Sequence, residues 1–325
     1  MAWEFEGLFD AVPEKGTLLE EFWRSEETET RIGSMGYRTR TIKAGTRLEA
    51  EVYPIFGRSQ EKKASKEILN MTRERQQQLN TRRAKRRLVL LMEENFSLFD
   101  DNAVTLTYVE EPDLKRCRKD VRNFLNRVKR YREKNGLPEM KYIYTIGYDK
   151  DHRLHVHMVM TGGIGQKKLA KIWGKGIVNS YVLQSYGKGL QGMANYLYRQ
   201  NEKARDNGER VYWHMWSGSR NLDKPKERVS DTKMPNRKVK KIALGFGVVG
   251  KEILEKVYPG YTLEDCVVRF SDVVDGVYIR CVMRKKEDRY EQKAKDQKRP
   301  KGFAEVRKKT AGQAAGDWPA GGIIQ

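Results

Sequence analysis

Apolar residues alternate with polar ones in several short stretches of the chain and recur with helical spacing in others. The β-branched and aromatic stretch 104–108 predicts a strand, and 142–148 and 153–160 predict a hairpin joined by the polar turn 149–152. Helices are predicted at 113–135, 167–173 and 190–199, and further strands at 177–183, 267–270 and 277–283. The order of these elements predicts an α+β fold in which helices pack on an antiparallel sheet.

Charge divides the chain into distinct segments. Residues 1–30 contain nine acidic and two basic residues, whereas 61–87 contain ten basic and three acidic residues with nothing that breaks a helix. Residues 284–309 contain twelve bases and five acids, and a Gly- and Ala-rich tail follows. We therefore predict an acidic N-terminal segment (1–35), a β-hairpin and basic helix (36–94), a core (95–225), an α/β extension (226–284) and a basic, partly disordered tail (285–325).

Composition restricts the class of protein. The 325 residues carry a formal net charge of +21, which favours a polyanionic partner, nucleic acid above all, over a charge that serves solubility alone. No apolar run is long enough for a membrane span, and the acidic start MAWEFEGLFD lacks the pattern of a secretory signal. Three widely spaced cysteines, Cys117, Cys266 and Cys281, argue against a disulfide scaffold and fit a reducing cytoplasm.

Two histidines at strand spacing are the first candidate for chemistry. His155 and His157 flank Val156 in the predicted strand 153–160, so both imidazoles leave the same face of the sheet. Two neutral imidazoles on a rigid strand can supply two ligands to a divalent cation. The alternative is a pair of histidines on a surface strand that binds no metal.

The predicted helix 190–199 supplies the second candidate. Tyr196 and Arg199 are three residues apart, on one helix face. A phenol has a pKa near 10, so as a nucleophile it needs activation by a cation or a base. A metal held by the histidines could bind a scissile phosphodiester while Arg199 neutralises charge beside Tyr196. Tyr196 packed beneath the sheet is the alternative, and Tyr198, on another face, is predicted to pack.

These motifs together resemble a known family. A His-hydrophobic-His strand followed by Tyr-x-x-Lys/Arg on a helix resembles the HUH endonucleases that initiate rolling-circle replication, and TLTY at 105–108 is similar to their first motif. More closely, residues 36–285 resemble the replication-associated proteins of bacterial plasmids, integrative elements and filamentous phages, the gene II protein-like group. Further similar stretches are KYIYTIGY (141–148), RLHVHMVMTGG (153–163), WGKG (173–176) and SRNLDKP (219–225).

The resemblance implies a metal site with two departures from the family pattern. It implies that His155 and His157 ligate Mn²⁺ or Mg²⁺ and that Tyr196 is the nucleophile. The family has a Glu eight residues ahead of the first His, where this chain has Gly147; either Asp149 substitutes or water completes the site. Arg199 stands where the family commonly has Lys, an exchange that keeps the charge but makes a poor general acid or base.

Several residues are predicted to contact DNA. Arg82, Arg83 and Lys85 belong to the basic helix, although a merely solvated helix is the alternative. Trp216 and Arg220 could stack on bases and bind phosphate, with core packing of Trp216 equally compatible with the sequence. No phosphate-binding loop of the NTPase type is present, so replication would require a host helicase and DNA polymerase.

The sequence therefore predicts an enzyme of the bacterial cytoplasm that nicks single-stranded or origin DNA in a metal-dependent reaction and initiates rolling-circle replication. Two alternatives stay open. One is a DNA-binding regulator that keeps the HUH fold with weakened catalysis, as Gly147 in place of Glu could indicate. The other is a single-tyrosine HUH transposase, in which the segment 36–100 would have no counterpart.

Overall fold

The structure is a computed structural model that describes residues 36–55, 72–148, 153–184, 188–206, 215–244, 248–270 and 276–286. The chain divides into two compact units, Met1–Lys285 and Lys286–Gln325, and every element described below belongs to the first. The predicted acidic segment 1–35, nearly all of the predicted tail and the start of the predicted basic helix, 61–71, lie outside the described residues.

The described elements confirm an α+β fold with antiparallel sheets. In chain order they are β1 (Tyr37–Ala44), β2 (Arg47–Pro54), α1 (Arg73–Asn95), β3 (Asn102–Leu106), α2 (Leu114–Lys134), β4 (Tyr142–Tyr148), β5 (Leu154–Met160), α3 (Gln166–Trp173), β6 (Val178–Val182), α4 (Gln191–Asp206), β7 (Ser217–Gly218), β8 (Lys226–Ser230), α5 (Asn236–Leu244), α6 (Val248–Val257), β9 (Tyr261–Phe270) and β10 (Val277–Lys285). Of the helices that the structure describes, none is long and apolar enough to span a membrane.

Strands β6-β3-β5-β4-β7 form one five-stranded antiparallel sheet, which we call the histidine sheet. Side chains alternate between its two faces because the strand period is two. One face, with Val156 and Leu106, packs against Phe124 of α2 and Trp173 of α3. The other face packs against α1 and α4 and carries both histidines.

The helices on this sheet begin and end at residues that the sequence marks. The side chain of Asp113 caps α2 by accepting a hydrogen bond from the Arg116 amide over 2.6 Å, and the helix ends at Asn135 before Gly136. Helix α3 ends at Gly174, whose φ of 61° is the left-handed conformation that glycine adopts without strain. The predicted helices 113–135 and 167–173 are therefore confirmed to within a residue or so.

Strands β8-β1-β2-β10-β9 form a second five-stranded antiparallel sheet, which we call the terminal sheet. It joins the hairpin of the predicted segment 36–94 to the predicted extension 226–284, since β1 pairs with β8 and β2 pairs with β10. One face carries apolar residues such as Leu48 and Ile279, which pack against Val239 of α5 and Leu254 of α6. The segment boundaries themselves stay a prediction, but the hairpin and the extension share one sheet.

Helix α1 packs against both sheets. Leu88 and Met92 lie in the apolar cluster of the histidine sheet, whereas Leu90 contacts Ile42 and Ala44 of β1. The sequence predicted a long, basic, solvated helix within the segment 36–94. The helix ends at Asn95, and the difference from the prediction is that its apolar C-terminal part, Leu88–Met92, is buried and not solvated, because the two sheets cover it from different sides.

Candidate active site

Strand β5 places the two histidines side by side. His155 and His157 share one face of the histidine sheet, and their ring centroids are 4.5 Å apart in an edge-to-face arrangement. Val156 between them is fully buried on the opposite face. The strand spacing therefore predicted their common orientation correctly.

His157 is the buried member of the pair. Its register partners are Thr105 of β3 and Thr145 of β4, and the Thr105 hydroxyl lies 3.1 Å from its Nδ1. Burial lowers the pKa of His157 to about 3, and the neighbouring His155 contributes to the same shift. The imidazole is therefore neutral at physiological pH, with one nitrogen able to donate a hydrogen bond and the other able to accept one.

Tyr196 of α4 contacts His157 directly. The phenolic oxygen lies 3.1 Å from Nε2 of His157, and the two ring centroids are 4.9 Å apart. When the Thr105 hydroxyl accepts a hydrogen bond from Nδ1, Nε2 is the nitrogen that can accept a hydrogen bond from the tyrosine hydroxyl. The same oxygen lies 3.4 Å from Nδ1, so the hydroxyl lies against both ring nitrogens and not in line with either. With a pKa of about 3, His157 is too weak a base to ionise the phenol, so it positions the hydroxyl and activation requires a cation.

His155 lies nearer the end of the sheet. Its Nδ1 is 3.2 Å from the carbonyl oxygen of Arg153, a contact in which the ring nitrogen donates and Nε2 keeps its lone pair. Its register partner on β4 is Gly147, the position where the resemblance implies a Glu. A Cβ at Gly147 would lie 3.1 Å from Cβ of Gln200 on α4, so this side of the histidine is closely packed.

Helix α4, which carries Tyr196, is anchored at its start by a buried carboxylate. Glu93 of α1 accepts a hydrogen bond from the Leu190 amide over 3.0 Å and pairs with Arg284 of β10 at 3.2 Å. Gly189 has a φ of 58°, and a Cβ there would clash with the Glu93 and Arg284 side chains. Helix α1 and strand β10 of the terminal sheet therefore hold the helix that presents the tyrosine.

The other predicted site residues are distributed more widely. Arg199 is exposed on α4, one turn after Tyr196. Tyr198 is buried in the apolar cluster, as predicted, and the Lys85 ammonium lies 5.0 Å from its ring centroid. Asp149 lies outside the described residues.

The residues predicted to bind DNA divide into exposed and packed groups. Arg82 and Arg220 are exposed, and Arg83 is half-buried. Trp216 is also half-buried and packs against the cluster between the histidine sheet and α4, which agrees with the core-packing alternative. The role of each in DNA binding stays a prediction.

The chemistry of the donor set bears on the predicted metal. Among the described residues, no three His, Cys, Asp or Glu side chains come together as a ligand group. His155 and His157 supply two imidazole nitrogens, a set that fits Mn²⁺ better than Mg²⁺, because Mg²⁺ prefers oxygen. The described part of the site thus fits a divalent ion that accepts nitrogen, with its remaining ligands supplied from elsewhere.

The sequence alone did not assign roles to Thr105, Thr145 or Glu93. The two threonines face His157 from neighbouring strands, and Thr105 belongs to the TLTY stretch that already indicated a strand beside the site. Glu93 is the acidic residue that follows the buried run LVLLM of α1. A charged residue next to a buried run indicates a buried ion pair, which Glu93 forms with Arg284.

Residues 101–204, about a third of the chain, match the family model of the replication-associated protein ORF2/gene II protein family. The chain is similar to replication-associated proteins. The matched part runs from just before β3 into α4 and so contains His155, His157 and Tyr196. No curated protein matches the chain, and no solved structure does. The resemblance to replication-associated proteins is therefore confirmed, and the finer HUH assignment stays a prediction.

Proposed function

We propose that this protein initiates rolling-circle replication by nicking, and later rejoining, one DNA strand at an origin through Tyr196. The observation that carries the proposal is the 3.1 Å contact between the Tyr196 hydroxyl and Nε2 of His157. It joins the two motifs of the sequence, which are 39 residues apart, in one site on one face of the sheet. A match to replication-associated proteins over the same residues supports it.

The reaction is a transfer of one phosphodiester. The Tyr196 oxygen forms a bond to phosphorus, the bond from phosphorus to the 3′ oxygen breaks, and the leaving 3′ oxygen takes up a proton in place of the one that the phenol gives up. The products are a 5′-phosphotyrosine and a free 3′-OH that can prime synthesis. Because the energy of the phosphodiester is conserved, attack of a new 3′-OH on the phosphotyrosine rejoins the strand without ATP.

The chain's own residues orient the nucleophile. Neutral His157 accepts the hydrogen bond of the Tyr196 hydroxyl and is in turn held by Thr105. Arg199, one turn along α4, supplies positive charge on the exposed side of the helix. Neutral His157 has a single free lone pair, so with a metal bound that lone pair would go to the ion and no longer to the Tyr196 hydroxyl. His155 and His157 would then hold the divalent metal, with Asp149 as the expected oxygen ligand, and the metal would withdraw charge from the scissile phosphate.

The experiment is a search for a covalent protein–DNA adduct. Single-stranded oligonucleotides that span inverted repeats in the DNA flanking the gene carry a fluorophore at the 3′ end, because that fragment stays on the protein. Incubation with Mn²⁺ or Mg²⁺ should give a fluorescent protein band that survives denaturing electrophoresis. The released fragment should carry a 3′-OH that a polymerase extends.

Two phenylalanine variants form a matched pair of controls. Tyr196→Phe should abolish the adduct while DNA affinity stays nearly unchanged, because only the nucleophilic oxygen is lost. Tyr198→Phe, two residues along the same helix and buried, should keep it. Loss of the adduct in Tyr198→Phe alone contradicts the assignment of Tyr196. Tight origin binding with no adduct under either metal would instead favour the regulator, to which the two-imidazole donor set and Gly147 point.

A further inference from the structure

The face of the histidine sheet opposite Tyr196 carries an unusually one-sided charge. Helix α2 contains ten basic and two acidic residues, and α3 contains three lysines and no acidic residue. The two helices pack together over this face, where Arg127 of α2 donates to the Ile172 carbonyl of α3 at 2.9 Å. We call the exposed outer side of α2 and α3 the back basic face.

Its basic side chains lie in a row. Lys115, Lys119, Arg122 and Arg130 are all exposed, and their spacing of four, three and eight residues keeps them on one side of the helix. At about 1.5 Å of rise per residue the row is roughly 22 Å long. The exposed lysines Lys167 and Lys171 of α3 extend it sideways.

Acidic residues do little to neutralise this row. Asp120 is buried and pairs with Lys175 at 3.2 Å, and Glu133 pairs with Lys129 at the far end of the helix. Lys115 and Arg116 lie in the first turn, where the helix dipole disfavours cations. Like charges at i and i+4, such as Lys115 and Lys119, further destabilise an isolated helix by a few tenths of a kcal/mol, roughly. A bound polyanion would remove both penalties.

The side chains of the row indicate which polyanion fits. Base stacking on aromatic side chains is typical of proteins that bind single strands. The exposed row of α2 contains only Lys, Arg, Asn and Glu, and Tyr131 at its border is covered by the Lys168 ammonium, 4.5 Å from the ring centroid. This row of cations has no exposed aromatic side chain on which a base could stack. It therefore fits the phosphates of a duplex, because the bases of a duplex are already stacked on one another.

We infer that the back basic face binds double-stranded DNA through its phosphates, independently of base sequence. Only the biological role of this duplex binding rests on the proposed function. In that role, the duplex beside the origin would lie on one side of the histidine sheet while the single strand enters the Tyr196 site on the other. Binding of duplex by this face is a separate property and can be measured without any nicking.

The test compares two variants that remove the same charge. Lys115→Gln, Lys119→Gln, Arg122→Gln and Arg130→Gln are combined in one variant. The control combines Arg228→Gln, Arg237→Gln, Lys251→Gln and Lys256→Gln, four exposed bases of the terminal sheet and its helices. Affinity for a 30-base-pair duplex without origin sequence is measured by fluorescence anisotropy over a range of NaCl concentrations, with the full chain.

The back-face variant should bind the duplex at least about 10-fold more weakly, and its log–log salt slope should fall by about 3 to 4, about one unit for each phosphate that the variant no longer neutralises. The control should change the slope by less than about 1. Equal losses in both variants would overturn the inference, since the effect would then be one of overall charge. A matching loss of affinity for a 30-nucleotide single strand would overturn it too.

Two further measurements separate this inference from the proposed function. The back-face variant should form as much adduct with a short single-stranded origin oligonucleotide as the unaltered chain, but nick duplex origin plasmid more slowly. If no adduct forms with any variant, the nicking proposal fails while the duplex result still stands. Lys115→Arg with Lys119→Arg should keep duplex affinity, and loss of binding in this charge-preserving variant contradicts a phosphate contact.

Discussion

The two sheets bury polar groups against α1 and α4 in opposite ways. In the terminal sheet, Glu49 is fully buried among arginines: Arg47 at 2.8 Å, Arg86 at 2.6 Å and Arg280 at 3.3 Å. In the histidine sheet, His157 is nearly as buried but faces neutral hydroxyls. The first group is charged and internally neutralised, whereas the second is uncharged and keeps a lone pair that can accept a hydrogen bond or bind a cation.

This difference distinguishes a polar cluster that stabilises the fold from one whose groups can still bind a ligand. Burial alone raises the pKa of Glu49, but Arg86, Arg280 and Arg47 outweigh it and lower the pKa to about 2. No such countercharge acts on His157, so burial decides its state. A group whose charge is already balanced by its neighbours is not available to bind a substrate.

Removal of Glu49 should have the largest effect on stability. Glu49→Ala leaves three arginines without their shared carboxylate and should lower the free energy of unfolding by about 3 to 5 kcal/mol. The control is Glu227→Ala, which removes a half-exposed partner of Arg40 and should cost less than about 1 kcal/mol. Urea denaturation at pH 7 measures both, and equal costs would contradict the structural role of the cluster.

The same cluster should make stability depend on acid. Because the pKa of Glu49 falls from its ordinary 4.5 to about 2 on folding, its stabilisation is complete above about pH 4.5 and is lost as the pH falls towards about 2. The loss is on the order of 3 kcal/mol. Unfolding free energies of the unaltered chain and Glu49→Gln, measured from pH 6 down to about 2.5, should converge, and parallel curves would contradict the shift.

The next effect concerns the oxygen ligand of the proposed metal. Asp149→Ala should raise the Mn²⁺ concentration that half-saturates adduct formation by about 10- to 100-fold. Gly147→Glu would test the family position, but its Cβ would lie 3.1 Å from Cβ of Gln200, so it is combined with Gln200→Ala. If Asp149 is the ligand, this double variant changes little relative to Gln200→Ala alone. If Asp149→Ala leaves the half-saturating metal concentration unchanged and the double variant needs less Mg²⁺, Asp149 is a residue of the hairpin turn and not a metal ligand.

The smallest free-energy effect is expected at His157, the imidazole beside the proposed nucleophile. His157→Gln keeps a side chain that can bond to Thr105 and should lower the free energy of unfolding by no more than about 1 kcal/mol. Nicking should nevertheless be lost. Unfolding of this variant under conditions where the unaltered chain is folded would favour histidines with a structural role only.

Local signals predicted much of the histidine sheet. Asp113 and Gly136 mark the ends of α2, and strand alternation placed His155 and His157 together, because each depends on neighbouring residues only. The first strand is displaced, since it spans Asn102–Leu106 and not 104–108. Strand β9 begins at Tyr261, six residues before the predicted start, because an edge strand tolerates the polar residues of TLED.

Contacts between distant segments could not be predicted in the same way. The 3.1 Å contact of Tyr196 with His157 requires α4 to lie over β4, which no local pattern specifies. The terminal sheet pairs Arg40 with Val229 and Glu51 with Arg280, across most of the chain. Such pairings depend on packing between distant segments, so the sequence predicted the hairpin of 36–94 and the strands 267–270 and 277–283 but not that they share a sheet.

The terminal sheet also imposes an order on biosynthesis. Strands β1 and β2 leave the ribosome early, but β10, which pairs with β2, follows more than 220 residues later. At about 5 to 20 residues per second this delay is on the order of 10 to 50 s. A lone hairpin is marginally stable and has open edges that invite pairing with other nascent chains. The hairpin carries charged side chains that protect it from aggregation while it waits; they are Arg38, Arg40, Arg47, Glu49 and Glu51. Of these, Glu49 and Glu51 later join the sheet to α1 through Arg86.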